Sequence, residues 1–185
     1  ASAANTDRDS YYGPGNDPLK AYGKTTDLTA MGGAQYVHTF DKCFFMPSDL
    51  TAGLEYNRDR LKDNMWGYDR HTDQTVNIYS AFLQNEWKND RWGILIGGRL
   101  DKHNMVDNVI FSPRANLRFN PTQNINLRLS YSSGFRAPQA FDEDMHIENV
   151  GGTVAMIERA KNLKEEKSQS FSASADMYHR FGVFQ

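Results

Sequence analysis

The feature that most limits what this chain can fold into is a two-residue alternation that recurs in segment after segment, with one apolar and one polar face each time. Leu50, Ala52, Leu54 and Tyr56 alternate with Thr51, Gly53, Glu55 and Asn57. Tyr79, Ala81, Leu83 and Trp87 share a parity, with Asn85 the polar exception, and after Lys88-Asn89-Asp90 the pattern resumes as Trp92, Ile94, Ile96, Gly98 and Leu100. Ala115, Leu117 and Phe119 lead into Asn120-Pro121-Thr122-Gln123, and Ile125, Leu127, Leu129 and Tyr131 lead out. Phe171, Ala173, Ala175 and Met177 alternate with Ser170, Ser172, Ser174 and Asp176 before His179-Arg180 turns the chain again. Successive side chains of a strand point to opposite faces, so this period predicts strands with one apolar face. Two such runs joined by a short polar turn form a hairpin. The fold class that follows is all-β, antiparallel and up-and-down.

Four segments are expected: a loop over residues 1–27, strands over 28–133, a long loop over 134–164, and a strand with its following turn over 165–185. The first is rich in Gly, Asn, Asp, Ser and Pro and shows no periodicity, and Gly13-Pro14-Gly15 reads as a turn. A strand ends in Tyr36-Val37-His38-Thr39-Phe40, although Gly32 and Gly33 weaken its start. A formal net charge of −2 over 185 residues gives no reason to expect nucleic acid as a partner. Cys43 is the sole cysteine, which excludes an intramolecular disulfide and any cysteine-based metal motif. No apolar run is long enough for a membrane helix, a fact that says nothing against membrane strands.

Alternation alone fits either half of a soluble sandwich or part of a barrel. The connections add information, being short at residues 88–90, 120–123 and 179–180 and long at 58–73, 101–111 and 134–164. Outer-membrane barrels have this asymmetry. Aromatics sit at the strand ends of the apolar face: Trp87, Trp92 and Phe119 beside short turns, Tyr56, Tyr79 and Tyr131 toward long ones. From Tyr79 to Trp87 is eight steps of roughly 3.4 Å, spanning roughly 20 Å of membrane thickness at a tilt of about 40°. On a barrel reading Arg99, Arg114, Arg118 and Arg128 point into the lumen, since an arginine facing lipid costs about 2–4 kcal/mol at the midplane. The stretch Ser130 to His146 is then a strand reaching the outer boundary at Tyr131 and released into an outer loop at Gly134. A soluble all-β binding or interaction module remains the alternative at this level, and an eight-stranded outer-membrane barrel a third.

Several short motifs fall in an order that resembles the barrel of a TonB-dependent outer-membrane receptor. Gln84-Asn85-Glu86-Trp87 is similar to that family's Gln-Asp-x-Trp, and Gly97-Gly98-Arg99-Leu100-Asp101 to its Gly-Leu-Arg-Tyr-Asp. Ser112-Pro113-Arg114, Asn120-Pro121-Thr122 and Gly134-Phe135-Arg136-Ala137-Pro138 continue the series, the last being the most specific. Departures are Asn85 for an acid, Leu100 for an aromatic, and Glu165 where proline usually precedes Glu166-Lys167-Ser168. The run from Phe135 to Asp144 resembles receptors of Bacteroidetes-type bacteria, often assigned to cobalamin, haem or siderophore uptake. The resemblance implies an outer-membrane location in a Gram-negative bacterium and a barrel of about 22 strands around a plug domain. It implies contact with membrane lipid, a small nutrient ligand, and an energy transducer engaged through a plug that this stretch lacks. About seven complete strands are expected here, and an odd number leaves the first and last parallel, so the piece would not close on itself.

Five residues on expected outer loops are candidate ligand contacts: Trp66, Tyr68, His71, Arg136 and His146. Tyr11 and Tyr12 could stack with them, and His103 is a further histidine in the same region. Asp142-Glu143-Asp144 with His146 and Glu148 lacks the spacing of a calcium loop and reads as solvated acids, so no metal site and no cofactor is expected. No nucleophile with its base, phosphate-cradling glycine loop or zinc motif appears at the required spacing, and an enzyme is not expected.

Overall fold

The computed structural model describes residues 1–11, 22–66, 69–139 and 164–178. Among them eight strands form one sheet: β1 (Ser2–Tyr11), β2 (Tyr22–Cys43), β3 (Met46–Met65), β4 (Arg70–Lys88), β5 (Trp92–His103), β6 (Ile110–Thr122), β7 (Ile125–Arg136) and β8 (Glu166–Met177). Each pairs with its neighbours in chain order, always antiparallel.

Register keeps the two faces separate across strand after strand. One row of paired residues reads Asn85, Ile96, Ala115, Tyr131 and Phe171, and beside it on the opposite face runs Gln84, Gly97, Arg114, Ser132 and Ser170. No second sheet covers the apolar face among the described residues. Leu54 is 67% exposed, Ile96 56% and Leu129 55%. In a sandwich these side chains would be the core; among the described residues they are bare.

Aromatic pairs bound the apolar band at both ends. At the long-connection end Tyr56 lies 4.9 Å from Tyr79, and Tyr131 4.9 Å from Phe171, between ring centroids. At the short-turn end Trp92 stacks on Phe119 at 4.2 Å and Phe45 on Trp87 at 5.7 Å. Cys43 is half-buried there, and its carbonyl accepts the Trp87 indole N–H at 3.0 Å. The β2–β3 turn holds Phe44 at φ 62°, a left-handed conformation uncommon for a bulky residue.

The structure corrects the sequence-based boundaries beyond Tyr56 and Tyr79. Residues 58–73, expected as a loop, continue β3 and β4 in register until Met65 pairs with Arg70. Residues 1–27, also expected as a loop, contain β1 and the start of β2. The reason is a change of parity. Leu61, Met65 and Val76 are each 2% exposed, and they occupy the face that is polar lower down. The other face there carries Arg58, Arg60, Lys62 and Asn64, so the stripe that marks the lower strand stops although the hydrogen-bond ladder does not.

Two further differences concern the other strands. β7 does not end at Gly134, because Gly134, Phe135 and Arg136 still pair with Ser168, Lys167 and Glu166. Eight strands rather than seven make β1 and β8 antiparallel in direction, so parity no longer forbids closure; the sheet is nonetheless open, with β1 and β8 each paired on one side. The turn at residues 179–180 lies outside the described residues.

Candidate functional site

Charge collects on the face opposite the apolar band. Arg99 donates to Glu55 at 3.0 and 3.3 Å, to Asp101 at 2.8 Å and to the Ser80 hydroxyl at 2.8 Å, which ties β3, β4 and β5 together. Ser80 completes the cluster by donating to Asp101 at 2.6 Å. Arg118 donates to the Asn89 carbonyl at 3.1 Å, and Arg128 to Asn126 Oδ1 at 2.8 Å, with Asp176 at 3.3 Å. Arg114 is exposed and has no hydrogen-bond or ion-pair partner among the described residues. All four arginines predicted to share a face do so.

Two recesses of about 500 Å³ each lie along this face. Glu55, Gln84, Arg99, Ser112, Arg114 and Ser132 line the first, and Glu86, Lys88, Arg118, Arg128, Ser130 and Ser172 the second. The serine row is hydrogen-bonded across strands, with the Ser130 and Ser172 hydroxyls 2.6 Å apart. Guanidinium groups balanced by carboxylates and hydroxyls make a hydrated wall that can hold anionic, oxygen-rich groups. Among the described residues no group of three or more His, Cys, Asp or Glu could hold a metal ion.

The sequence candidates separate at the long-connection end. Trp66, nearly half exposed, stacks on Tyr22 with centroids 5.4 Å apart and planes 3° from parallel. Tyr22 is fixed in turn by donating its hydroxyl to Asp9 at 2.6 Å. His71 lies on the same hairpin tip, 3.0 Å from Asn64 Oδ1 and 3.7 Å from Asp69. Arg136 stands apart, at the end of β7 opposite Glu166. Tyr68 and His146 lie outside the described residues, as do Tyr12 and the Asp142-Glu143-Asp144 run.

His103 is fully buried and committed internally. Its Nδ1 accepts the Met105 N–H at 2.9 Å, which leaves Nε2 to donate to Gln139 Oε1 at 3.1 Å. Its carbonyl accepts the Val106 N–H at 3.2 Å, Val106 forming a small apolar cluster with Ile110, Ala137 and Phe135, and neither ring nitrogen is free.

Sequence reasoning missed the polar network inside the upper part of the sheet. Asp63, fully buried, accepts from Thr25 at 2.7 Å and from Arg70 at 2.9 Å. Below it the Asp59 carboxyl is pushed up to about 6 by burial, then by the charge and hydrogen bond of Asp27. The signal that could have found these residues is parity: Asp59 and Asp63 share a face with Leu61 and Met65, the reverse of residues 50–56.

Comparison with known proteins adds three findings. The profile of the family described as TonB dependent receptor-like, beta-barrel, matches residues 1–185. The siderophore receptor PirA from Pseudomonas aeruginosa superposes with a TM-score of 0.61 at 17% identity, over 86% of this chain and 30% of that one. The siderophore receptor PirA from Acinetobacter baumannii gives 0.64 at 19% identity, over 96% of this chain and 29% of that one. At these identities the likeness is one of fold, and the chain spans less than a third of either receptor. No match was found among curated protein sequences.

Proposed function

The chain belongs to the TonB-dependent receptor β-barrel family, and from that premise we propose that it forms part of the wall of an outer-membrane receptor for nutrient uptake in a Gram-negative bacterium. The observation that carries this reading is the division of one open sheet into an uncovered apolar band between two tiers of aromatic rings and a charged face behind it. Bare Leu54, Ile96 and Leu129 need a non-aqueous neighbour, and lipid is the neighbour that a closed barrel provides. The charged face is then the lumen wall, carrying Arg99, Arg114, Arg118 and Arg128. Short turns face the periplasm, and the long strands β2, β3 and β4 rise above the outer surface.

In this reading the receptor captures a scarce small ligand, such as an iron chelate, haem or cobalamin, at its outer rim. Trp66, Tyr68, His71, Arg136 and His146 are the contacts this stretch would contribute. Release into the lumen is driven by an inner-membrane transducer acting on a plug domain. Binding and transport are the work, and no catalytic step is involved.

Growth tests the reading. A strain lacking the full-length receptor should fail to grow when its cognate nutrient is the limiting source, and growth should return with the parent gene. Unchanged growth across ferric siderophores, haem and cobalamin overturns it.

A further inference from the structure

Above Ile78 the sheet loses a neighbour on one side. β5 ends at His103, opposite Ile78, whereas residues 70–77 of β4 continue upward paired with β3 alone. Asn104 closes the first step of the open side. Its main-chain N–H donates to the Asn77 carbonyl at 3.1 Å, its Oδ1 accepts the Asn77 N–H at 2.9 Å, and its Nδ2 donates to the Thr75 carbonyl at 2.8 Å. Main-chain groups of alternate residues in an antiparallel strand point the same way, so those of Thr75, Asp73 and His71 line the same side as those of Asn77. The Thr75 N–H and both main-chain groups of Asp73 and of His71 have no partner there among the described residues.

A row of unpaired N–H and C=O groups is a template for another strand. The devices that blunt such an edge are scarce here: Arg70-His71-Thr72-Asp73-Gln74-Thr75 holds no proline and no lysine, and it pairs with β3 without a bulge. β4 lies between two strands of this chain, so the opening comes from the shortness of β5. Height exposes it to the medium. Asp73 is six steps beyond Tyr79 of the outer aromatic tier, roughly 20 Å along the strand and roughly 15 Å of height at a tilt of about 40°. The headgroup layer is only roughly 5–8 Å deep.

Resting on the membrane-wall reading for its place outside the cell, we propose that the free edge of β4 from His71 to Thr75 is a strand-addition site for an extended peptide segment of a partner polypeptide, with a lysine or arginine opposite Asp73. Asn104 already shows this edge taking one amide as donor and acceptor together. Asp73 sets the charge of the added strand. Its Oδ2 lies 3.6 Å from both Arg60 and Lys62, beyond hydrogen-bond distance, and its Oδ1 has no partner among the described residues. A cation on the added strand is then its cross-strand neighbour. A second copy of the receptor does not fit the edge: copies in one membrane share its orientation, so their β4 strands, tilted about 40° in the same hand, cross rather than align where two barrels meet.

The test uses the full-length receptor in detergent and a fluorescent probe peptide, Thr-Val-Thr-Lys-Thr-Val-Thr, with binding read by anisotropy. The parent should bind it. Asp73→Asn should weaken binding by no more than about fivefold, the worth of one cross-strand charge pair. Asp73→Pro also removes an edge N–H and should weaken it by roughly a further tenfold. That N–H takes no part in the β3–β4 ladder, so the proline variant should keep the heat-modifiable mobility of the parent. N-methylation of one alternate set of probe amides should abolish binding, and of the other set should leave it unchanged. Equal binding of the two methylated probes overturns the proposal, as does a parent that fails to bind or an Asp73→Pro variant that binds like Asp73→Asn. So does slow amide exchange at His71 and Asp73 in the probe-free receptor, matching Thr72 and Gln74, which would mark the edge as covered by the receptor itself or by a second copy. Recovery of the parent in the outer-membrane fraction keeps the wall reading intact whichever way the titration falls. Absence of the parent from that fraction removes both readings.

Discussion

Removing the Asp63 carboxylate should loosen the upper half of the β3–β4 hairpin without disturbing the half below Tyr56. Asp63 is fully buried, the Arg70 side chain is 4% exposed, and Nε lies 2.9 Å from Oδ2. At an effective dielectric of about 20, two unit charges at this range attract by about 4 kcal/mol or somewhat more. The cost of taking both out of water offsets much of that, so the intact pair contributes little net. In Asp63→Ala the attraction goes while the desolvation of Arg70 stays, and the Thr25 hydroxyl loses its acceptor. The expected penalty is about 3–5 kcal/mol, or at least about a hundredfold in the opening equilibrium. The assay is amide hydrogen exchange on the full-length receptor in a bilayer, comparing residues 57–65 and 70–78 with 50–56 and 79–87. Exchange should accelerate in the first pair of segments and stay unchanged in the second. The double variant Asp63→Leu/Arg70→Met should restore protection, because it removes both buried charges. Parent-like exchange in Asp63→Ala, or a double variant as labile as the single one, would refute this account.

Three other outcomes follow from the same geometry. Asp59 has its carboxyl raised to about 6 by burial and by Asp27, so its contribution to stability is complete below about pH 4, declines as pH rises toward 6 and is flat above. Protease resistance of the β2–β3 upper half should fall over that window by the equivalent of about 1–2 kcal/mol after screening, and Asp59→Asn should abolish the dependence. A Cβ at Gly53 would collide with the Phe82 ring, so Gly53→Val should lower the folded fraction in a heat-modifiability gel by the equivalent of about 1–3 kcal/mol, with partial rescue by Phe82→Ala. Ile96→Arg places a cation near the middle of the apolar band and should cost about 2–4 kcal/mol of membrane stability, measured by urea unfolding in vesicles, whereas Gln84→Arg on the opposite face should cost little.

The part of the sheet readable from sequence is the part with one solvent on each side. From Leu50 to Tyr56, and again from Trp92 to Leu100, apolar and polar residues alternate because each face has a fixed partner. That constraint yields strand, face and hairpin together, and it places the four arginines correctly relative to one another. Above Tyr56 the constraint reverses. Leu61, Met65 and Val76 pack inward, Arg58, Arg60 and Lys62 look outward, and a reader tracking one apolar parity sees only a polar segment. β1 is harder still, since Ser2 to Tyr11 is polar on both faces and is held by its ladder to β2. Of the candidate contacts, Trp66 and His71 were found as aromatic or imidazole groups on an expected outer segment. Tyr22, which positions Trp66, could not be, because it stands 44 residues away in sequence and only the β2–β3 register brings the two rings together.

The reversal of polarity at Tyr56 has a consequence for how tall this wall can be. Below that level, adding or deleting a residue pair would move an aromatic tier out of line with its neighbours in β5 to β8, so the lower wall has a fixed gauge. Above it, β2, β3 and β4 are held by their shared ladders, the network around Asp63 and the bonds from Asn104 to Asn77 and Thr75, none of which belongs to an aromatic tier. Height can change there in increments of two residues per strand, roughly 5 Å each, with every side chain keeping its facing. A single-residue change on each strand would turn Asp63 outward and Lys62 inward. The upper hairpin is thus a structure with discrete permitted lengths, an adjustable rim on a lower course whose dimensions are set by the bilayer.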